Sequence, residues 1–221
     1  MAVYGHGTRK PPFDEDQQLD PTDVYAFNKA SMEGITRVLS GVHGFNTVIV
    51  RPHNCFGMEQ STQDRFRNAV AIFMNLVLRK EPITVYGDGE QTRAFSYIAD
   101  CLPVFIHTIL HVDKLNGHIF NIGGMIPITV NMLVHEVLCA MGENPRDYPI
   151  EYLPDRPCEV KHAFPTYDKS VDLLGYTETV GWQRGVREMA AWITQLGPRA
   201  WVNNEPIELF ADSLPKTWIG Q

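Results

Sequence analysis

Several signatures are missing from these 221 residues, and each absence narrows the reading. No apolar run reaches the roughly 18 residues that a membrane-spanning helix needs, so no membrane partner is expected. Met1 is followed by Ala-Val-Tyr-Gly, without the basic start and apolar core of a signal peptide. Basic residues are not in excess. The net charge of −7 argues against a general nucleic-acid binder, although single arginines can still hold a phosphate-bearing ligand. Cysteine is sparse: Cys55, Cys101, Cys139 and Cys158 make no C-x-x-C pair. With dispersed histidines they give no zinc-spaced cluster, and no metal is expected. Scattered thiols in an acidic chain fit a reducing cytoplasm. A complete dinucleotide fingerprint is also missing. Gly5-His-Gly7 lacks its third glycine, Lys10 standing there, and Pro11-Pro12 obstructs a helix start. Gly87-x-Gly89 opens no helix directly.

What is present is an alternation of helices and strands. Residues 2–4 read as the end of a strand stopped by Gly5, and 7–20 as a polar loop. A helix is expected over about 21–41. The β-branched run at 46–51 suits a strand buried on both faces. Val70, Phe73, Met74, Val77 and Leu78 have helical spacing. Strands are expected at 83–86, 118–122 and 150–153. A helix is expected over 99–111, with Pro103 tolerable in its first turn. Thr129 suits the cap of a helix with Leu133, Val134, Val137, Leu138 and Met141 on its apolar face. Val186, Met189, Ala190 and Ile193 line a last amphipathic helix. The tail after Pro198, with Trp201, Phe210 and Trp218, is expected to wrap over the body. The pattern is that of an α/β chain.

The chemistry centres on Tyr25-Ala-Phe-Asn-Lys29. Residues four apart share a helix face. An ammonium beside a phenol favours the phenolate, the form that serves as a general base. The spacing alone is weakly specific, because Tyr and Lys four apart on a solvated face are common. The arginines Arg93 and Arg156 suit a diphosphate, which a guanidinium can bind through paired hydrogen bonds. Either could equally be a surface ion pair.

The context sharpens this reading. Val3-Tyr4-Gly5 precedes an acidic loop, and Pro21-Thr-Asp-Val-Tyr25 leads through Lys29 to Glu33. Then come Arg51-Pro-His-Asn54-Cys-Phe-Gly57, Tyr86-Gly-Asp-Gly-Glu-Gln-Thr-Arg93, Phe120-Asn-Ile-Gly-Gly124 and Arg156-Pro-Cys-Glu159. In this order and spacing the series resembles the extended short-chain dehydrogenase/reductases that act on nucleotide sugars. It is most similar to the UDP-glucose 4-epimerase branch.

The resemblance implies a fold and a set of roles. The fold would be the C-terminal part of a Rossmann-like doubly wound parallel sheet with a small α/β substrate-binding domain. Residues 1–57 would belong to the NAD-binding domain and 58–221 mainly to the substrate domain, with 98–124 returning a helix and strand to the sheet. Tyr25 would be the base and Lys29 its partner, both contacting NAD. The His53 backbone would approach the nicotinamide. Asn54, Asn68, Tyr86, Arg93 and Arg156 would contact the nucleotide sugar. Glu159 would bond a ribose hydroxyl or steady the arginine. The Tyr25 helix would form a homodimer interface.

The same resemblance places the family's glycine-rich loop and catalytic Ser/Thr upstream of Met1. This chain alone is therefore expected to be incomplete and inactive. It would derive from an internal methionine or a split gene. Smaller departures are Phe56 for the usual Tyr, Met58 for Pro, Ala94 for Asp and Cys158 for Gly. Related dehydratases and decarboxylases place a carboxylate immediately before V-Y-G, where Ala2 stands here. An apolar methyl cannot move a proton, which favours C4 epimerisation with retained NAD. A reductase or dehydratase remains an alternative. So does a non-catalytic remnant or partner subunit that binds nucleotide sugar or docks on a full-length relative.

Overall fold

The computed structural model describes residues 2–5, 10–64, 67–156 and 159–202. In chain order the elements are α1 (Val24–His43), β1 (Ile49–Pro52), β2 (Cys55–Phe56), α2 (Ala69–Leu78), β3 (Ile83–Tyr86) and β4 (Thr92–Ala94). Then follow β5 (Ser96–Tyr97), α3 (Ile98–Leu110), β6 (Ile119–Ile122), β7 (Pro127–Thr129) and α4 (Val130–Ala140). The last are β8 (Ile150–Leu153), β9 (His162–Ala163), α5 (Asp168–Leu174) and α6 (Trp182–Leu196). They fall into two compact units, one of Met1–Cys55, Gln91–Thr129 and Cys158–Trp182, the other of Phe56–Glu90, Val130–Pro157 and Gln183–Gln221.

In the first unit β1 pairs in parallel with β6, from Ile49 opposite Ile119 to Pro52 opposite Ile122. Parallel neighbours require a crossover, which α3 supplies. Cys101 and Val104 of α3 pack with Ile122, Tyr167 and Tyr176 in one buried cluster. A second cluster joins Val3, Tyr4, Phe13 and Ala163. Strand β4 pairs with β7 antiparallel and with β9 in parallel. Gly124 follows β6 where only a glycine fits, since an added Cβ would meet the Phe95 carbonyl.

The expected strand end at residues 2–4 is instead a single 3-10 turn over Ala2–Tyr4. Gly5 N donates to Ala2 O at 3.0 Å and Asp20 N to Val3 O at 3.1 Å, so these backbone groups are satisfied locally rather than by a ladder. The run at 46–51 also differs from expectation. Only Ile49–Pro52 forms the strand, and Ile49 and Val50 are half-buried rather than enclosed on both faces. Among the described residues β1 has β6 as its only strand neighbour, which leaves these side chains partly open. Helix α5 and strands β4, β7 and β9 gave no signal in the sequence, being seven residues or fewer.

In the second unit β3 pairs in parallel with β8. Helix α2 buries Val70, Phe73, Met74 and Val77, and packs on α4, which buries Leu133, Val134, Val137 and Leu138. Val186, Met189, Ala190 and Ile193 of α6 are all buried, as their spacing requires. Burying Val186, Met189 and Ile193 contributes about 1.5–3 kcal/mol each. The chain after α6 is tied down at Arg199, whose N–H donates to Asn75 Oδ1 at 3.1 Å, and at Val202, which donates to Gln63 O at 3.0 Å. Phe210 and Trp218 lie outside the described residues. No helix among the described residues is long and apolar enough to cross a membrane.

Candidate active site

Helix α1 is positioned by its caps. The Asp23 carboxylate accepts from Ala26 N at 2.7 Å, satisfying one of the free N–H groups of the first turn. Gly44 closes the other end in the left-handed conformation, its N–H donating to Ser40 O. Tyr25 therefore sits in the first turn and Lys29 one turn later. Lys29 Nζ stands 5.4 Å from the Tyr25 ring centroid, so the two meet as the spacing requires. Tyr25 is 64 % exposed and Lys29 is exposed. Water therefore screens their attraction.

The middle of α1 is fixed by a buried polar network that sequence reasoning did not find. Arg51 at the end of β1 donates to Glu33 of α1 from Nε at 2.9 Å and from Nη2 at 2.7 Å. Its Nη1 donates to Tyr4 Oη at 2.6 Å. Tyr4 in turn donates to Asn121 Oδ1 at 2.8 Å, and Asn121 N donates to Glu15 Oε1 at 2.7 Å. Burial pushes the Tyr4 phenol up despite the Arg51 charge beside it. Phe13, Glu15 and Gln17 are buried and alternate with more open neighbours. The alternation is one of burial alone: Glu15 and Gln17 are as polar as Asp14 and Asp16, so the sequence carried no period-two signal.

His53 follows β1 and is fully buried. Its N–H donates to Ile122 O at 3.0 Å, and its carbonyl accepts from Ser96 Oγ. The ring lies between Tyr4 and Tyr167, each 6.4 Å away by centroid, and neither ring nitrogen makes a hydrogen bond of normal geometry. Burial holds the imidazole well below its ordinary value, the Arg51 charge adds to this, and Asn121 opposes it only in part. The next residue, Asn54, turns the chain at φ 38°, a left-handed conformation that Asn tolerates. Its Nδ2 donates to Ala94 O at 2.8 Å.

The arginines are held in different ways. Arg93 donates from Nη1 to Thr92 O at 2.9 Å and Lys161 O at 3.1 Å, and its Nη2 pairs with Glu159. Glu159 thus steadies Arg93, which lies 66 positions away in the chain. In the second unit Arg156 lies over the Tyr86 ring, its Cζ 4.0 Å from the centroid, a cation–π contact. Asn68 caps α2, its side chain accepting from Val70 N at 2.9 Å. Cys158 lies outside the described residues. The first unit therefore brings together Tyr25 with Lys29, His53 with Asn54, and Arg93 with Glu159. The second brings together Tyr86 and Arg156.

Solved structures of known enzymes superpose on most of this chain. UDP-glucose 4-epimerase from Thermotoga maritima, solved with UDP-glucose, superposes with a TM-score of 0.79 at 27 % identity, over 88 % of this chain and 61 % of that one. UDP-glucuronic acid 4-epimerase from Bacillus cereus, solved with UDP-glucuronic acid and NAD, gives 0.79 at 26 % identity, over 88 % and 59 %. The human dTDP-D-glucose 4,6-dehydratase is 29 % identical over 194 residues, 86 % of this chain and 53 % of the relative. The chain thus spans about half the length of that relative. The fold is α/β and Rossmann-like, that of these enzymes. The model of the NAD dependent epimerase/dehydratase family matches residues 1–123, and the chain belongs to that family.

Proposed function

We propose that this chain carries the catalytic helix and part of the substrate site of an enzyme that epimerises a nucleotide sugar at C4, of the UDP-glucose/UDP-galactose type. The observation that carries the reading is the pair Tyr25 and Lys29, adjacent and open on one face of α1 in a member of this family. Ala2, which stands where dehydratases and decarboxylases carry a carboxylate, favours epimerisation over elimination.

The residues present fit the nicotinamide end of NAD. An open phenol and ammonium stand together on α1, and His53 leaves two ring nitrogens without hydrogen bonds at the end of β1. The 221 residues hold no complete glycine-rich phosphate turn. When bound, NAD supplies a reversible hydride acceptor for C4. Tyr25 takes the proton of the sugar 4-hydroxyl and later returns it. Lys29 stabilises the charge on the phenol and holds a ribose hydroxyl. Asn54 and Asn68 contact the substrate. Tyr86 lines the nucleotide site and backs Arg156, and Arg93 and Arg156 bind the diphosphate. Glu159 competes for Arg93, so the incoming diphosphate must displace or share that contact.

A second reading is favoured by the surface of α1, which buries only Ala26 and Glu33. Phe27, Met32, Ile35, Val38 and Val42 are exposed on it. An apolar stripe of that size suits an association surface. On this reading the chain docks through α1 on a second copy or on a full-length relative, and contributes nucleotide-sugar binding without turnover. A third reading, elimination or reduction after the same C4 oxidation, has the similarity to 4,6-dehydratases in its favour. Calorimetry of NAD and UDP-glucose against the 221-residue chain tests these readings. Tight binding of both supports a complete site. UDP-glucose binding alone supports the docking subunit. Binding of neither removes the substrate-site proposal.

A further inference from the structure

Two thiols stand outside the proposed chemistry. Cys55, one residue after Asn54, is half-buried, and Cys101, in the first turn of α3, is fully buried. Their sulfurs lie 4.0 Å apart, neither is in a disulfide, and they belong to one packed cluster. They are 46 positions apart in the chain, so the fold brings them together rather than the sequence.

We propose that Cys55 and Cys101 are a redox pair that closes to an intramolecular disulfide. A disulfide requires a sulfur–sulfur distance of about 2.0 Å, so closure needs side-chain rotation and a small approach of the β2 and α3 backbones. The two thiols differ in a useful way. Cys55 is half-buried, and its S–H donates to Cys101 Sγ. Cys101 is fully buried, and burial pushes its thiol up. Cys55 is thus the thiol that an oxidant reaches first, and Cys101 is the resolving partner.

With hydrogen peroxide as oxidant the steps balance. The Cys55 thiolate attacks one peroxide oxygen, an S–O bond forms and the O–O bond breaks. The leaving hydroxide takes a proton and becomes water. Cys101 sulfur then attacks the Cys55 sulfenic sulfur, the S–S bond forms and the S–O bond breaks. A second water leaves with the Cys101 proton. Two thiols are oxidised and one peroxide is reduced, and a dithiol reverses the change by exchange. The bond ties the segment beside Asn54 to α3. An effect on substrate contact through Asn54 rests on the function proposed above, whereas the disulfide itself does not.

The test treats the purified 221-residue chain with hydrogen peroxide, labels remaining thiols with a maleimide after denaturation, and reads intact mass and linked peptides. The expected product is lighter by two hydrogen atoms, has two of its four thiols protected, and yields one cross-linked pair containing Cys55 and Cys101. Dithiothreitol restores all four labels. Cys55→Ser and Cys101→Ala each abolish the product, and Cys139→Ser retains it. Should Cys101→Ala fail to fold, the peptide map of the unaltered chain decides. The proposal is overturned if all thiols stay titratable until Cys55 carries sulfinic acid. It is equally overturned if the protected thiols map to another pair or to a covalent dimer.

Discussion

Arg51 and Glu33 form a two-pronged ion pair, at 2.9 and 2.7 Å, that fastens the helix bearing Tyr25 and Lys29 to the strand leading into His53 and Asn54. Arg51 is 5 % exposed and Glu33 9 %, so neither charge has water to fall back on. Burial pulls the guanidinium down, but its bonds to Glu33 and Tyr4 outweigh this and hold it above its ordinary value.

Glu33→Ala is therefore expected to destabilise the first unit by about 3–5 kcal/mol, because it strands a buried charge. The double variant Glu33→Leu with Arg51→Met removes both charges, and the expected loss is much smaller than the sum of the single losses. Urea denaturation midpoints of Glu33→Leu, Arg51→Met and the double variant check this. Simple additivity would mean that the two side chains act independently.

This pair also marks what could be read from the sequence. Glu33 and Arg51 both stood in the motifs that carried the resemblance, and the spacing of Tyr25 and Lys29 was enough to place them on one face. The helices were legible because Val186, Met189, Ala190 and Ile193, like the buried face of α4, repeat at helical spacing over two turns or more. Long-range pairings were not. Nothing local tells Arg51 to choose Glu33, or Glu159 to choose Arg93. Each choice depends on which strand ends meet in three dimensions. The turn at residues 2–4 was misread for a related reason. Val-Tyr suits a strand, but a strand needs a neighbour to bond with, and these residues satisfy their backbone by turning.

For catalysis, the expected effect of Tyr25→Phe in an enzyme that holds NAD is a fall in turnover of about 10²–10⁴-fold, with nucleotide-sugar affinity largely kept. Phe preserves the ring beside Lys29 and removes only the hydroxyl. Steady-state rates and calorimetric affinity measured on the same preparation separate these effects. Rates unchanged from the parent would remove Tyr25 from the role of base.

Arg93→Ala and Arg156→Ala test the two proposed diphosphate contacts separately. Each is expected to weaken UDP-glucose binding by roughly 10-fold or more, as loss of a charge-assisted hydrogen bond of about 1.5–3 kcal/mol implies. Tyr86→Phe keeps the aromatic face under Arg156 and should bind like the parent, whereas Tyr86→Ala should follow Arg156→Ala. Equal losses for Tyr86→Phe and Tyr86→Ala would show that the hydroxyl, rather than the stack, matters.

His53 predicts an acid limit to stability. Its folded value lies well below the ordinary 6.5, so the unfolded chain binds the proton first as pH falls. The contribution of neutral His53 is fully present above about pH 6.5 and is lost progressively below it. Melting temperature should be flat from about pH 7 upward and decline below about 6.5. His53→Phe, which cannot titrate, should flatten the upper part of that decline. A decline of the same slope and onset in the variant would assign the acid limit to other groups.

Asp100 should behave in the opposite chemical sense with the same acid sensitivity. It lies in the first turn of α3, is 2 % exposed, and its carboxylate collects four hydrogen bonds. Oδ1 accepts from Thr179 N at 2.9 Å, Thr179 Oγ1 at 2.8 Å and Val180 N at 2.8 Å, while Oδ2 accepts from Gly181 N at 2.9 Å. Burial pushes the carboxyl up, but the bonds from Val180, Gly181 and Thr179 outweigh it and hold it below its ordinary 3.8. The stability this carboxylate contributes is therefore present above pH 3.8 and is lost as pH falls through the lower folded value. Asp100→Asn sets an amide where an acceptor was needed, so that a donor faces the N–H of Gly181 or of Val180. The expected loss is about 1–3 kcal/mol at neutral pH, read from the urea midpoint. The gap between variant and parent should narrow below pH 3.8, because protonation takes from the parent what the substitution has already removed. A gap that stays constant into acid would mean that the loop 179–181 is held by its packing and not by the carboxylate.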